Sequence, residues 1–419
     1  MLDTAKGLIR QATHGFSRRD FFGASVLAGI ASLLRPRSAS ANAWKASTYS
    51  DNVYTRLLGV KPHLPGHEHT TVVGGSRMPP EVIRAMAEAN DYFVDMHALT
   101  QAAGRRIAEV TGAQAGLITA GSFSSMILAA AACLTGDDPD RIEALPHPTW
   151  PRRECLTQTA HRFGYDRAYR AAGMTLVDKA TREEVAAAIS DKTAMLACLA
   201  IVERREDRPA DVMLPEEFVE LGRKHGVPVV IDAASELPPE GNLQRYIDIG
   251  GDLVIISGGK GIRGPQSTGI LAGRADLIEA ARLNAAPHGN LGRGMKVGKE
   301  EIIGFVVALN RYLALDHELV KEEWTQRSRN LAARLQGIPG LTAEPVWNTK
   351  GYYDVKLSWD ESIIPLTMAE MRQKLRLGDP PIIVVDDVFM TRCLEEGELL
   401  LVAARLREFF HAQARGAGA

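Results

Sequence analysis

The stretch that most constrains this fold is the apolar run Asp252-Leu253-Val254-Ile255-Ile256 together with the glycine-rich segment after it. The run reads as a buried strand. It passes into Ser257-Gly258-Gly259-Lys260-Gly261-Ile262-Arg263-Gly264 and on to Gly269, so one lysine stands among five glycines, with a hydroxyl three residues before it. Glycine lets a backbone approach a ligand closely. A lysine delivered to the mouth of a sheet, desolvated and near a second cation such as Arg263, is able to form a Schiff base with a carbonyl cofactor. Taken alone, the segment reads equally as a glycine-rich turn with a solvated lysine.

Two further segments weigh on that choice. Val227-Pro228-Val229-Val230-Ile231-Asp232 is an apolar strand of parallel-sheet character with a carboxylate at its end, 28 residues before Lys260. That interval leaves room for one connection and the next strand, so Asp232 and Lys260 can reach one cleft. An acid in that place suits pyridoxal phosphate, whose ring nitrogen must stay protonated for the ring to draw in electrons. The other segment is Gly116-Leu117-Ile118-Thr119-Ala120-Gly121-Ser122, followed by the helical Met126–Ala132. A strand, a Gly-Ser turn at Gly121 and Ser122 and a helix N-terminus offer free N–H groups to a phosphate. Lysine, acid and phosphate turn, in this order and spacing, predict a pyridoxal 5'-phosphate site that includes Ser257 beside the lysine.

The chain resembles the fold-type I pyridoxal-phosphate enzymes of the branch that contains bacterial selenocysteine synthase and the D-glucosaminate-6-phosphate ammonia-lyase type. The resemblance is carried by Ser257–Ser267, by Ile231-Asp232-Ala233-Ala234-Ser235-Glu236-Leu237-Pro238-Pro239, by Met295-Lys296-Val297-Gly298-Lys299-Glu300-Glu301 and by Gly75-Ser76-Arg77-Met78-Pro79-Pro80-Glu81-Val82. It extends with gaps from about Tyr54 into the 300s. It implies an aspartate aminotransferase-like α/β fold, with a mostly parallel sheet in the large domain and a small α+β C-terminal domain. Related enzymes with a strand-His-helix-Gly-strand pattern place the histidine over the pyridine ring, which makes His161 the stacking candidate; a helix-cap histidine is the alternative. Arg162 and Asp166 are candidate neighbours in the same cleft. The basic, glycine-rich Pro287-His288-Gly289-Asn290-Leu291-Gly292-Arg293-Gly294-Met295-Lys296 offers His288, Arg293 or Lys296 to a substrate carboxylate or phosphate, or else forms a solvated inter-domain turn.

One fold and one cofactor host many reactions. The resemblance implies a polar small-molecule amino substrate, a hydroxy amino acid or amino sugar acid, with Lys260 as general base and β-elimination releasing ammonia and a 2-oxo acid. Transamination and racemisation need only another fate for the same carbanion. Selenium transfer to seryl-tRNA needs a basic tRNA-binding surface, which a net charge of −2 does not supply; no nucleic-acid partner is expected. A non-catalytic pyridoxal-phosphate binder is the remaining alternative. Members of this fold share their cleft between subunits, which implies a homodimer or larger homo-oligomer.

The rest of the chain frames this site. Ser17-Arg18-Arg19-Asp20-Phe21-Phe22 precedes an apolar run, Gly23–Leu34, and the small residues Ala39–Ala43. Residues 1–43 read as a twin-arginine signal peptide, implying a partner in the twin-arginine export machinery and a periplasmic, already folded enzyme. The expected domains are 44–90 (arm and helices), 91–310 (large, cofactor-binding) and 311–419 (small). The arm Lys61–His69 carries His63, His67, Glu68 and His69 between stiffening prolines, and reads as a substrate-facing or subunit-crossing loop; no metal site is expected. There the chain departs from its relatives, which share an Asn-Ala-Ala-Gly-like stretch. A long helix from Lys299 to about Ala333 should lead to strands at Tyr352–Leu357 and Ile382–Val385, separated by a helix at Thr367–Leu375, with a mixed segment at Leu399–Phe410. The cysteines at 133, 155, 198 and 393 are far apart and read as thiols rather than a disulfide framework.

Overall fold

Strand pattern decides the architecture. Along Leu253–Ser257, Leu253 and Ile255 enter one hydrophobic cluster while Val254 and Ile256 enter another, the period-two alternation of a strand buried on both faces. Val229, Val230 and Ile231 divide in the same way, as do Leu117 and Ile118. The computed structural model describes residues 49–385 and 387–416. The twin-arginine segment and the expected cleavage site lie outside the described residues.

The twelve described strands, in chain order, are β1 (Leu64–Gly66), β2 (Ala115–Thr119), β3 (Glu154–Gln158), β4 (Thr175–Lys179), β5 (Thr193–Leu199), β6 (Val229–Asp232), β7 (Leu253–Ser257), β8 (Gly269–Gly273), β9 (Leu341–Asn348), β10 (Tyr352–Trp359), β11 (Ile382–Val384) and β12 (Val388–Phe389). Seven form a sheet in the order β2-β8-β7-β6-β5-β3-β4. Only β8 runs against its neighbours. On one face lie the helices Met96–Thr111, Pro215–His225 and Lys299–Leu313, which supply Ile107, Phe218 and Phe305 to the cluster of Val254 and Ile256. Gly121–Thr135 and Ala275–Asn284 cover the other face with Met126, Leu128 and Leu277. The fold is the expected α/β arrangement.

The C-terminal part holds the antiparallel sheet β12-β10-β9, backed by His317–Arg334. The arm does not stand free: β1 pairs in parallel with β11, Leu64 opposite Ile382 and Gly66 opposite Val384. Two expectations need correction. The single helix expected from Lys299 to about Ala333 is two helices, because Asp316 turns its carboxylate onto the Leu319 N–H and starts a new helix at His317. The mixed segment at the end is one helix, Glu396–Gly416.

Candidate functional site

In a parallel sheet the carboxyl ends of the strands share one edge, and ligands sit in the crevice beyond it. Here that edge gathers the ends of β3, β5, β6 and β7, with β2 running in the same sense beyond β8. Register makes the neighbours explicit. Leu199 lies opposite Asp232, Asp232 opposite Ile255, Ser257 opposite Gly269, and Gly269 opposite Thr119. The predicted acid, hydroxyl and phosphate turn therefore stand along one line.

The anion end of that line is a cradle. Gly121 opens the helix Gly121–Thr135 at φ +80, a conformation that suits glycine, with nothing within 4 Å of a Cβ built on it. Ser122 Oγ is buried without a partner. Across from them, a Cβ on Gly269 would stand 2.8 Å from the Gly121 carbonyl carbon, 2.9 Å from Thr119 Oγ1 and 3.0 Å from Ser122 N. The cradle is thus lined by glycine and one orphaned hydroxyl at a helix N-terminus, where free N–H groups and the helix dipole favour a phosphate. These residues fit the phosphate end of pyridoxal phosphate.

Lys260 lies in a loop clamped from two sides. Within the loop, Gly264 N–H donates to Gly258 O (2.8 Å) and Arg263 N–H to Lys260 O (3.0 Å). Ser76 Oγ donates to Gly259 O at 2.8 Å, and a Cβ on Gly261 would lie 2.8 Å from Leu237 O. The segment Gly75–Arg77 and the loop after β6 thus grip the lysine from opposite sides. Arg263, expected as a cofactor-binding cation, is the one described non-glycine residue at positive φ (60°). Its Nε donates to Arg77 O at 2.9 Å and its guanidinium lies 3.9 Å from Glu395, so its recorded contacts are to the N-terminal segment and the C-terminal region.

Asp232 is buried, and its Oδ1 accepts the Ala234 N–H at 3.0 Å. Burial pushes its carboxyl up from the ordinary value, the Ala234 N–H and the Lys260 charge pull it back, and Glu236 pushes it up again. A protonated ring nitrogen is the kind of partner such a carboxylate lacks.

His161 ends a short 3-10 turn after β3, and both ring nitrogens meet backbone. Leu199 N–H donates to Nδ1 (2.9 Å), so Nε2 carries the proton and donates to Met213 O (2.9 Å). Phe218 packs edge-on at 5.0 Å between ring centroids, and burial lowers the imidazole pKa to about 4. The ring is neutral with both nitrogens engaged by backbone, and its recorded contacts are to Leu199, Met213 and Phe218. The Arg162 guanidinium is held by Asp166 and Asp178, both at 2.5 Å. His288 contacts Arg282 (3.2 Å) and His97, along the helix Ala275–Asn284, and Arg293 is exposed. None of the contacts recorded for these three residues reaches Lys260 or Asp232.

Sequence reasoning missed a cluster of buried charges in which the C-terminal region meets the arm. Arg392 and Lys350, both buried, flank Glu68 of the arm at 2.8 Å and 3.6 Å. Lys350 rides in the β9–β10 turn, beside Thr349, which accepts from Arg204 at 3.2 Å. Arg204 in turn pairs in fork geometry with buried Glu236, next to Leu237 and hence to the Lys260 loop. Burial and Arg392 lower the Lys350 amine to about 8. Burial opposes ionisation of Glu68, but Arg392, Lys350, Arg204 and Lys260 outweigh it and hold its carboxyl below the ordinary value. Glu68 was visible among the arm's histidines; nothing around Arg392 in the sequence marks it.

A seven-stranded, mostly parallel sheet with a glycine cradle, a clamped lysine and a buried acid at one edge defines a pyridoxal-phosphate-dependent enzyme of fold type I. No family model matches the chain. The chain is 36% identical over 354 residues to 5'-C-glycyluridine monooxygenase-decarboxylase of a Streptomyces species, covering 81% of this chain and 86% of that one. It is 29% identical over 375 residues to D-glucosaminate-6-phosphate ammonia lyase of Salmonella typhimurium, covering 85% and 97%. A solved structure of D-glucosaminate-6-phosphate ammonia-lyase superposes with a TM-score of 0.77 at 27% identity, covering 87% of this chain and all of that one. The chain belongs to the family of fold-type I pyridoxal-phosphate enzymes that includes these proteins.

Proposed function

We propose that this enzyme is a lyase that removes the α-proton of a polar amino acid or amino sugar acid and eliminates its β-hydroxyl, releasing ammonia and a 2-oxo acid. Lys260 would hold the cofactor through its carbonyl group, Gly121, Ser122 and Ser257 would hold its phosphate, His161 would pack on the ring, and Asp232 would accept the ring N–H and keep that proton in place. Bound pyridoxal phosphate supplies the electron sink for the charge left when a bond to the α-carbon breaks. The Lys260 amine would accept the α-proton as general base. Loss of the β-hydroxyl as water, then hydrolysis, yields the products.

The observation that carries this reading is the buried Arg392–Lys350 pair. A substrate carboxylate reaching these desolvated cations beside Glu68 would be stabilised as a carboxylate, which opposes its departure as neutral CO2 and leaves the α-proton as the group to be removed. Decarboxylation is the second reading, favoured by the 36% identity to a monooxygenase-decarboxylase. The experiment is incubation of the purified enzyme with β-hydroxy amino acids and amino sugar acids, assaying ammonia, 2-oxo acid and CO2. Ammonia with 2-oxo acid supports elimination; CO2 in step with substrate loss supports the second reading. A homo-oligomer is supported by the exposed apolar side chains Leu57, Leu58, Val72 and Phe93. The twin-arginine pattern supports a periplasmic enzyme exported with its cofactor already in place.

A further inference from the structure

Two adjacent residues of the N-terminal segment hold the lysine loop on either side of Lys260. Ser76 Oγ donates to Gly259 O, just before the lysine, and the Arg77 carbonyl accepts from Arg263 Nε at 2.9 Å, one turn after it. Beneath the loop, Ile262 is buried in the cluster of Val254 and Ile256. The loop is also closed on itself, with Arg263 N–H donating to Lys260 O and Gly264 N–H to Gly258 O. A Cβ on Gly259 would lie 2.7 Å from Gln266 Cα, so the two limbs of the loop touch. In so tight a loop, the place of Arg263 decides the place of Lys260.

Arg263 stands where glycine is the natural choice. At φ 60° its backbone is left-handed, a conformation that glycine adopts freely and an L side chain rarely does. The chain keeps an arginine there, so the side chain must compensate for the backbone, as strained residues at working sites do. Its charge is not what holds it. The guanidinium faces the like charges of Arg77 and Arg311, and its recorded ion pair, with Glu395, is loose at 3.9 Å. Arg77 is already engaged by Glu398 and by Cys393 O, and Arg311 by Glu81 at 2.7 Å. The directed contact of the side chain is the Nε–H bond to Arg77 O, and it joins the loop to a residue whose guanidinium grips Glu398 near the start of the last helix.

We infer that Arg263 is a positioning residue: through its Nε–H bond to Arg77 O it holds the Lys260 amine where it condenses with the cofactor's aldehyde, and it passes the seating of the last helix, through the Arg77–Glu398 fork, to that lysine. This inference rests on the reading of Lys260 as the lysine that links to pyridoxal phosphate. In the condensation the amine nitrogen bonds to the aldehyde carbon, a C=N bond forms, and the aldehyde oxygen leaves as water with the two amine protons. Loss of the Arg263 bond slows this step and spares the hold on phosphate and ring, because the cradle of Gly121, Ser122 and Gly269 belongs to the ends of β2 and β8. A cofactor-binding cation, the role expected of Arg263 from the sequence, predicts instead that both are lost together.

The test compares the wild type with Arg263→Gln, Arg263→Met and Arg263→Gly, each as the full chain stripped of cofactor and reloaded. The glutamine side-chain nitrogen stands as many bonds from Cα as arginine Nε and can donate to Arg77 O; methionine is as long and cannot. Growth of the visible absorption of linked pyridoxal phosphate gives the linking rate. The dissociation constant of pyridoxamine 5'-phosphate, which has the same ring and phosphate but no aldehyde, gives the hold on the cofactor. Arg263→Met and Arg263→Gly link about fivefold more slowly or worse, with pyridoxamine phosphate binding within about twofold of the wild type, and Arg263→Gln stays within about twofold in both. Glu398→Gln slows linking in the wild type and adds nothing in Arg263→Met, because the two act along one chain of contacts. Equal linking rates in Arg263→Gln and Arg263→Met, pyridoxamine phosphate weakened in step with linking, or additive effects of Glu398→Gln and Arg263→Met overturn the inference. If Arg263→Met does not fold, Arg263→Gly, free of strain at this φ, is set against Arg263→Gln by the same two readouts. Borohydride trapping and peptide mapping of the wild type keep the two levels apart: an adduct away from Lys260 removes the reading beneath the inference, whereas an adduct at Lys260 with equal rates in all variants removes the inference alone.

Discussion

Arg77 and Glu398, 321 positions apart in the chain, meet through two parallel hydrogen bonds of 2.7 Å, the Arg77 guanidinium donating to both carboxylate oxygens. Glu398 is buried and also accepts from the Tyr49 hydroxyl at 2.6 Å. Because Arg263 Nε donates to Arg77 O, the pair ties the lysine loop, the N-terminal segment and the C-terminal helix into one brace. Glu398→Gln should destabilise the protein by about 2 kcal/mol, since a fork-shaped pair loses its charge and one acceptor in a buried place. Urea denaturation of the two proteins measures it, and an unchanged midpoint would show that the brace is not structural.

Lys260→Ala should abolish both the covalent link to the cofactor and turnover. Borohydride reduction followed by peptide mass mapping checks this. A reduced adduct on another lysine in the variant would move the central assignment away from Lys260.

Asp232→Asn should retain the cofactor yet lose two or more orders of magnitude in kcat, because the loss falls on the step that places charge in the ring. Steady-state kinetics beside cofactor stoichiometry separates the two effects. A rate near that of the wild type would remove Asp232 from this role.

Gly269→Ala should weaken cofactor binding at least tenfold. The new Cβ lies 3.0 Å from Ser122 N and 2.8 Å from the Gly121 carbonyl carbon, so backbone must shift at a cost of about 1–3 kcal/mol. Gly164→Ala, where a Cβ meets nothing within 4 Å, is the matched control. Equal cofactor dissociation constants for the two variants would argue against the cradle.

His161 gives a pH dependence whose sign comes from its lowered pKa. The folded ring titrates at about 4, against about 6.5 for an ordinary histidine, because burial disfavours the cation. Its contribution is therefore complete above pH 6.5, is lost as pH falls from 6.5 towards 4, and changes no further below that. The full effect is about 3 kcal/mol. Stability curves of the wild type and His161→Gln should diverge at neutral pH and converge as pH falls to 4; parallel curves would contradict the buried neutral ring. His63, also lowered to about 4, contributes equally to both proteins and cancels in the difference.

Local pattern was enough to reveal the sheet and the order of its chemistry. The runs at Val229–Asp232 and Leu253–Ser257 are apolar on both faces, as in a mostly parallel sheet covered by helices on both sides, and in such a sheet Asp232 and the Lys260 loop emerge at one edge. Glycines at 121, 258, 259, 261 and 269 marked where backbone approaches backbone or ligand. The helix break at Asp316 escaped because it depends on one side chain choosing the Leu319 N–H over solvent, which apolar periodicity does not register.

What the tertiary structure alone decided is which charges meet. Glu68, Lys350 and Arg392 come from an N-terminal arm, a hairpin turn and a loop before the last helix, and their pairing depends on β1 finding β11 across more than 300 residues. Arg162, His288 and Arg293, equally plausible from their composition, have recorded contacts that lead elsewhere. Periodicity reports which face of an element is buried, but not which distant element will cover it. The lysine, the acid and the glycine-serine turn could be read from the chain because each sits at the end of its own strand, whereas the Glu68–Lys350–Arg392 cluster is made by contacts no single segment contains.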